Sequence, residues 1–412
     1  MSNIKSDIQA DFLPDFDRGE NPILAEPFIL SSDSTYRGLL TDLAIELAQK
    51  SAGLRRSLPQ GISIALSKLV RAMNCYYSNL IEGHYTHPID IERALREDYS
   101  KDKAKRDLQL EAKAHISVQT WIDQGGTTGH VTDIKNILEI HKRFYELVPD
   151  DLLIVKDLQN GKEERVIPGE LRKHNVQVGK HIAISPGAVL RFFKRFEEVY
   201  SHLGKTETIL ATAAAHHRLL WIHPFLDGNG RVARLVSHTQ LLKTLDTGGL
   251  WSISRGLARN ESAYKQYLML CDLIRRNDID GRGNLSEEAL AKFTRFFLET
   301  CIDQINFMES LIEPNHLRER ILLWAMQEIK AEKLLPQSGY ILEAVLYRGE
   351  LQRGEIPSIT GLGDRQGRRA VASLINHGVL TAKSDKAPLQ LAFPATLASF
   401  WMPGLFPDSP RN

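Results

Sequence analysis

The chain has 412 residues, 42% of them hydrophobic and 25% charged, a balance ordinary for a soluble globular protein of two or three domains. Its 52 basic and 51 acidic side chains leave a formal charge of +1, which excludes a global electrostatic pull on nucleic acid or membrane. Only Cys75, Cys271 and Cys301 occur, in helical apolar surroundings, and no apolar run approaches a membrane span; a disulfide framework and a membrane-embedded fold are therefore excluded, and a cytoplasmic location is expected.

The first residues are polar and acidic, without the basic and apolar regions of a secretion signal. Asp15 to Pro27 is turn-rich and is expected to wrap the surface. Ile62 to Glu82 predicts a helix, with Ile62, Leu66, Leu69, Met73, Tyr76 and Leu80 spaced by three and four and Gly83 placed to stop it. Glu82 then falls in the last turn, where its charge faces the negative end of the dipole at a cost of up to ~1 kcal/mol unless a cation compensates. Ser78 lies one turn earlier on the same face. Lys101 to Arg106 is charge-dense and reads as a solvated helix face. Further helices are expected over Ile134 to Leu147, Ala188 to His202 and Thr208 to Ile222. Between them, Val176 to Gly179 alternates apolar and polar, Lys180 turns the chain, and His181 to Pro186 follows, which predicts a hairpin.

The densest chemistry lies in His223-Pro224-Phe225-Leu226-Asp227-Gly228-Asn229-Gly230-Arg231-Val232-Ala233-Arg234. Gly228-Asn229-Gly230 permits positive φ, and its successive N–H groups form an anion-binding nest. Arg231 to Leu245 has one apolar stripe, so the nest is predicted at a helix N-terminus, where the dipole also favours negative charge. Arg231 and Arg234, three apart on that helix, supply forked donors for a polyphosphate. Asp227 provides one carboxylate, enough to hold Mg²⁺ with phosphate oxygens and water. His223 suits a general base. Pro224 breaks the preceding helix, and Phe225 reads as a core anchor. Three neighbouring signals are declined. His216 and His217 face apart on a helix and lack further zinc ligands. Gly204-Lys205-Thr206 lacks a P-loop's first glycine, Val199 standing in its place. Asp278 to Ser286 has Arg282 and Ala289 where a calcium loop needs ligands, and reads instead as a turn capped by Ser286.

The string from His223 to Arg234 resembles the signature of the Fic family, His-x-Phe-x-(Asp/Glu)-Gly-Asn-Gly-Arg-x-x-Arg, at every fixed position. Fic enzymes mostly transfer AMP from ATP to a hydroxyl side chain of a target protein. The resemblance implies that His223 takes the hydroxyl proton and that Asp227 holds Mg²⁺. It further implies that Gly228, Asn229, Gly230 and Arg231 cradle the α- and β-phosphates while Arg234 clamps the γ-phosphate. Ser78-Asn79-Leu80-Ile81-Glu82-Gly83 is similar to the family's inhibitory motif, (Ser/Thr)-x-x-x-Glu-(Gly/Asn), which implies that Ser78, Glu82 and Gly83 form an inhibitory helix end whose Glu82 pairs with Arg234. The expected hairpin looks like the Fic flap, with Val178, Gly179, Lys180 and His181 bordering nucleotide and target, and Gly169-Glu170-Leu171-Arg172 before it is also family-like. Tyr264, on a helix expected over Glu261 to Ile274, resembles the family's adenine-contacting aromatic; a core aromatic is the alternative reading.

Beyond residue 313 the pattern changes. Helices are expected over Leu317 to Leu334, Tyr340 to Tyr347 and Ile356 to Leu362, and from Asp364, as its cap, to His377. Strands Val379 to Lys383 and Leu389 to Phe393 follow. Three helices and a hairpin resemble a winged helix, with Arg365, Arg368 and Arg369 opening the presumed recognition helix; three arginines are a weak signal for DNA, many winged helices bind protein, and both partners stay open. The fold is expected to be mainly α: an N-terminal helical region with the inhibitory motif (1–112), a Fic-type core with a β-hairpin flap (113–312) and a winged-helix module (313–412). The expected function is an autoinhibited protein adenylyltransferase using ATP and Mg²⁺ on hydroxyl side chains of targets and of itself. A Fic enzyme that removes AMP or carries another nucleotide stays open, as does a nucleotide sensor coupled to a DNA-binding regulator, which intact His223 and Asp227 disfavour. Monomer and homodimer also stay open.

Overall fold

The computed structural model describes residues 16–156 and 163–407, and is built almost wholly of helices. Residues 1–15, including the Asp15 that opens the expected surface wrap, lie outside the described residues. From residue 16 the wrap is present. Arg191 pairs with Asp17 at 2.6 Å, Arg195 with Glu26 at 2.6 Å, and the buried Arg218 donates from Nε and Nη2 to the Pro27 carbonyl at 3.1 and 2.9 Å.

Helices α1 (Arg37–Arg56), α2 (Gln60–Ile81), α3 (Pro88–Leu95) and α4 (Lys103–Asp123) follow. In α2 the apolar stripe is buried, from Ile62 through Leu66, Leu69 and Met73 to Tyr76. Gly83 stops it with a φ of +83°, and Glu82 is the cap residue just past the last turn rather than inside it. Lys101 to Lys105 are exposed, as a solvated face requires. Residue 112, the expected end of the N-terminal region, falls within α4.

Helix α5 (Ile134–Tyr145) leads to strands β1 (Ile154–Lys156) and β2 (Glu163–Arg165), an antiparallel pair that the sequence reading did not anticipate. Strands of three residues with charged partners carry no alternating apolar run to betray them. The expected hairpin is β3 (Gln177–Val178) and β4 (His181–Ile182), with Gln177 opposite Ile182 and Val178 opposite His181. Gly179 turns it with a φ of +58°.

After α6 (Val189–Tyr200), the centre of the molecule is α7 (Lys205–Ile222) packed on α8 (Asn229–Leu245). Both are buried on nearly all sides, the condition of a helix inside a core. Helices α9 (Ile253–Arg259), α10 (Glu261–Cys271) and the long α11 (Glu287–Ile312) close the core, α11 resting on α1 and α7. Ser286 caps α11 by accepting from Ala289 N–H at 3.1 Å, as the turn reading of that loop required. All three cysteines are buried and free.

The remainder consists of α12 (Pro314–Lys330), α13 (Ser338–Arg348), α14 (Ile356–Thr360), α15 (Asp364–Asn376), β5 (Leu380–Thr381), β6 (Gln390–Leu391) and α16 (Ala398–Trp401). Strands β5 and β6 pair antiparallel. Asp364 is not the cap of α15: Gly363 occupies that position, and no side chain caps the helix. This region rests on α2. The Tyr77 hydroxyl donates to the Leu405 carbonyl at 3.2 Å, and the Tyr76 ring meets Phe406 edge-on at 5.6 Å. Gly61 abuts the Gly349 carbonyl so closely that a Cβ there would collide with it. No described helix is long and apolar enough to cross a membrane.

Candidate active site at the start of α8

Helix α7 ends at His223, whose φ of +49° is left-handed. Such a backbone costs a non-glycine residue roughly 1–2 kcal/mol, so something must hold it. Arg172 does. Its guanidinium donates to the carbonyls of His223 at 2.7 Å, His174 at 2.9 Å and Ile184, gathering the end of α7 and the root of the β3–β4 hairpin. Burial pushes Arg172 down to about 10, which still leaves it cationic at neutral pH. From the hairpin, His181 Nε2 donates to the Trp221 carbonyl at 2.8 Å. The hairpin is thereby fastened two residues before His223.

The His223 imidazole is half-buried, and its Nδ1 lies 3.2 Å from the Leu220 carbonyl. A carbonyl only accepts, so Nδ1 carries the proton and Nε2 presents its lone pair. Burial, the largest influence, pushes the ring down to about 4, so it is neutral at physiological pH.

Between His223 and α8 the chain is shaped from inside. The Asn229 side chain accepts from Phe225 N–H at 3.0 Å and donates to the Phe225 carbonyl at 2.9 Å. Phe225 is fully buried and stacks on His141 at 3.9 Å. The Asn229 side chain thus staples the loop, while the expected phosphate cradle concerns its backbone N–H, which lies in the first turn of α8. Gly228 has a φ of +82°, and a Cβ there would lie 2.6 Å from the Tyr145 ring. No side chain caps α8, so its leading N–H groups have no intrahelical acceptor, and the positive end of the dipole is open to an anion.

Beside that first turn lies the protein's own carboxylate. Glu82 Oε1 lies 2.3 Å from where a Cβ on Gly230 would be, and it bonds Arg234 Nη2. Arg234 also donates from Nε to Ser78 Oγ and from Nη2 to the Ser78 carbonyl, both at 2.9 Å. Burial pushes the Glu82 carboxyl up, and the Arg234 and Arg231 guanidiniums outweigh it, leaving the carboxyl below its ordinary 4.5. The dipole cost expected at the end of α2 is thus offset by a cation and by the start of α8.

Arg231 is tied to carboxylates on two sides. It is buried, with Nη1 bonded to Glu111 and Nη2 bonded to Asp227 at 2.8 Å and to the Tyr145 hydroxyl at 2.9 Å. Only Nε lacks a protein partner. The guanidinium is thus held in place by two carboxylates and a hydroxyl beside the start of α8. Asp227 Oδ2 also accepts from Tyr145 at 2.5 Å, while the side chain keeps 43% exposure. This suits Asp227 as the sole protein ligand of a Mg²⁺ whose other ligands are phosphate oxygens and water. Among the described residues no group of three or more His, Cys, Asp or Glu side chains could hold a metal by itself.

Tyr264 is corrected as an adenine contact. It is 2% exposed, and its hydroxyl lies 2.7 Å from His216 Nε2, so it offers no free ring face. His216 and His217 are structural: His216 also bonds Ser237, and His217 bonds the Leu268 carbonyl and Asp272. Val178, Gly179 and Lys180 stand exposed at the hairpin tip. A surface cavity between Ser34, Tyr36, Arg276 and Ile279 shares none of these residues. Sequence reasoning missed Glu111, Tyr145, His84 and His141. The one available signal was a polar residue on a buried stripe: in α4, Gln109, Glu111, His115 and Gln119 are all buried.

Residues 131–241 match the profile of the Fic/DOC family. Over 112 residues the chain is 35% identical to the protein adenylyltransferase Fic of Drosophila erecta and of Drosophila melanogaster, covering 27% of this chain and 20% of each relative. The chain thus spans about a fifth of the length of these curated relatives. The fold is shared with the crystal structure of a Fic family protein from Desulfovibrio desulfuricans G20, with a TM-score of 0.51 and 13% identity over 88% of this chain and 98% of that one.

Proposed function

From the premise that this chain carries a Fic domain, we propose that it is a protein adenylyltransferase held inactive by its own Glu82. The observation that carries the reading is the seating of Glu82 against Gly230 and Arg234 at the uncapped start of α8. The inference is that the outermost phosphate of ATP takes this place when Glu82 leaves it. The Arg234 guanidinium and a helix N-terminus both favour a polyanion there.

His223 Nε2 takes the proton of a target hydroxyl as its oxygen attacks the α-phosphorus. The bond from that phosphorus to the bridging oxygen breaks, and pyrophosphate leaves. Asp227 would hold a Mg²⁺, which would supply charge neutralisation on the phosphates. The target backbone adds to an open edge of the β3–β4 hairpin, a two-stranded sheet with unpaired edges. With Glu82 in place, the triphosphate cannot seat in line, and misplacement of this kind costs about a hundredfold or more in rate.

The test is incorporation from α-labelled ATP with Mg²⁺. Glu82→Gly should raise labelling of the protein itself and of lysate proteins, and adding His223→Ala should abolish it. Equal labelling by the parent and Glu82→Gly would sink the inhibitory reading. ATP binding without any transfer by Glu82→Gly would favour a nucleotide sensor instead.

One further observation supports a second partner. In α15, Arg365, Arg368 and Arg369 share an exposed face opposite the buried Gly367, Ala370, Val371 and Leu374, and among the described residues none of the three is paired with an acid. With α13, α14 and the β5–β6 hairpin this is read as a winged helix that presents α15 to duplex DNA.

A further inference from the structure

We propose that Glu111 is a positioning residue that holds Arg231 and, through His84, fastens the inhibitory turn to α4. The proposal rests on the adenylyltransferase reading above and assigns two residues that reading does not use.

Glu111 is 1% exposed, and a carboxylate so buried needs partners on both oxygens. It has them on two sides. Toward α8, Oε1 bonds Arg231 Nη1. Toward solvent, His84 Nδ1 lies 2.9 Å from Oε1 and 2.8 Å from Oε2. His84 stands one residue beyond Gly83, and its backbone N–H closes the end of α2 on the Asn79 carbonyl at 3.0 Å. Two residues on, Thr86 reaches the Leu108 carbonyl of α4 at 3.4 Å. The bond to Glu111 raises the His84 imidazole above its ordinary 6.5, so the contact favours a charged pair.

The inhibitory turn is therefore tied to both arginines of the loop-and-helix site. Glu82 bonds Arg234 directly, and His84 reaches Arg231 by way of Glu111. A nucleotide that displaces Glu82 from Arg234 still faces a turn anchored two residues further on. Conversely, Glu111 keeps Arg231 from swinging onto Asp227 with both of its forks, so Asp227 retains an exposed oxygen face.

The experiment is a double-mutant comparison on the full chain, read as label transfer from α-labelled ATP. His84 is part-exposed, and its loss should leave the melting temperature nearly unchanged. His84→Ala is expected to raise basal transfer on the order of fivefold, within the usual range of coupling between sites. The same change should do nothing in a Glu82→Gly background, where the turn is already released. Glu111→Gln should also raise basal transfer, but in the Glu82→Gly background it should raise KM for ATP, because Arg231 has lost its support; a general loosening of the fold would lower kcat in both backgrounds instead. Activation by Glu82→Gly together with a silent His84→Ala overturns this proposal alone. A silent Glu82→Gly overturns the inhibitory reading and this proposal with it.

Discussion

A neutral imidazole with its lone pair exposed is the condition for a general base, and at His223 it is imposed by neighbours rather than by the histidine itself. The Leu220 carbonyl fixes the tautomer, burial holds the ring near 4, and Arg172 stabilises a left-handed backbone that proline follows. Two expectations belong to this scale. In the Glu82→Gly variant, kcat/KM for transfer should stay level between pH 5.5 and 7.5, because the free enzyme's base titrates near 4; an inflection at the ordinary histidine value of about 6.5 would contradict the burial argument. Arg172→Lys keeps the charge but loses the fork that gathers separate carbonyls. Each lost bond to a charged donor is worth about 1.5–3 kcal/mol, so the variant should melt earlier and transfer at least tenfold slower, as measured by thermal unfolding and label incorporation.

Among elements, the junction from α7 to α8 is the part whose geometry leaves least freedom. Gly228 is held at positive φ against Tyr145, and Asn229 staples Phe225 from both sides. A methyl at Gly228 must displace the ring that orders Asp227 and Arg231. Gly228→Ala is expected to destabilise by about 1–3 kcal/mol, visible in the urea midpoint, and to abolish transfer in the Glu82→Gly background. The exposed face of α15 yields a different prediction. If its arginines meet phosphates, binding of duplex DNA should weaken steeply with salt, and an Arg368→Ala/Arg369→Ala variant should show a shallower salt slope. Binding that ignores salt would rule phosphate contact out.

Across the whole molecule, the buried histidines set the response to acid. His115, His141, His216, His217 and His223 are all pushed down by burial, to between about 3 and about 4. Between their folded values and the ordinary 6.5, the unfolded chain binds more protons than the folded one, so stability falls as pH falls through this window and is fully present above it. Urea midpoints measured at pH 7 and pH 5 should differ clearly, the lower at pH 5. His84, raised by Glu111, works in the opposite sense and is outnumbered. Packing of the C-terminal region also belongs to this scale. Trp401 is 1% exposed against Trp324 and Phe393, so Trp401→Ala should cost about 3–5 kcal/mol in the same measurement.

What the chain order alone determined is local. Apolar spacing of three and four located α2, α6, α7 and α8 to within a few residues, and the run from His223 to Arg234 placed a base, a carboxylate, a nest and two cations in one turn-and-helix, because their geometry follows from short-range backbone rules. Family resemblance named Glu82 and Arg234 as partners, but their meeting depends on how α2 lies across α8. Packing alone decided that Arg231 faces Glu111 and Asp227, that Tyr264 lies inside on His216, that Asn229 turns inward, and that β1 and β2 pair at all. The physical reason is the same in each case. A side chain's propensity is written in its neighbours along the chain, whereas its burial and its counter-charge come from elements many residues away, and no spacing rule records which of them will arrive.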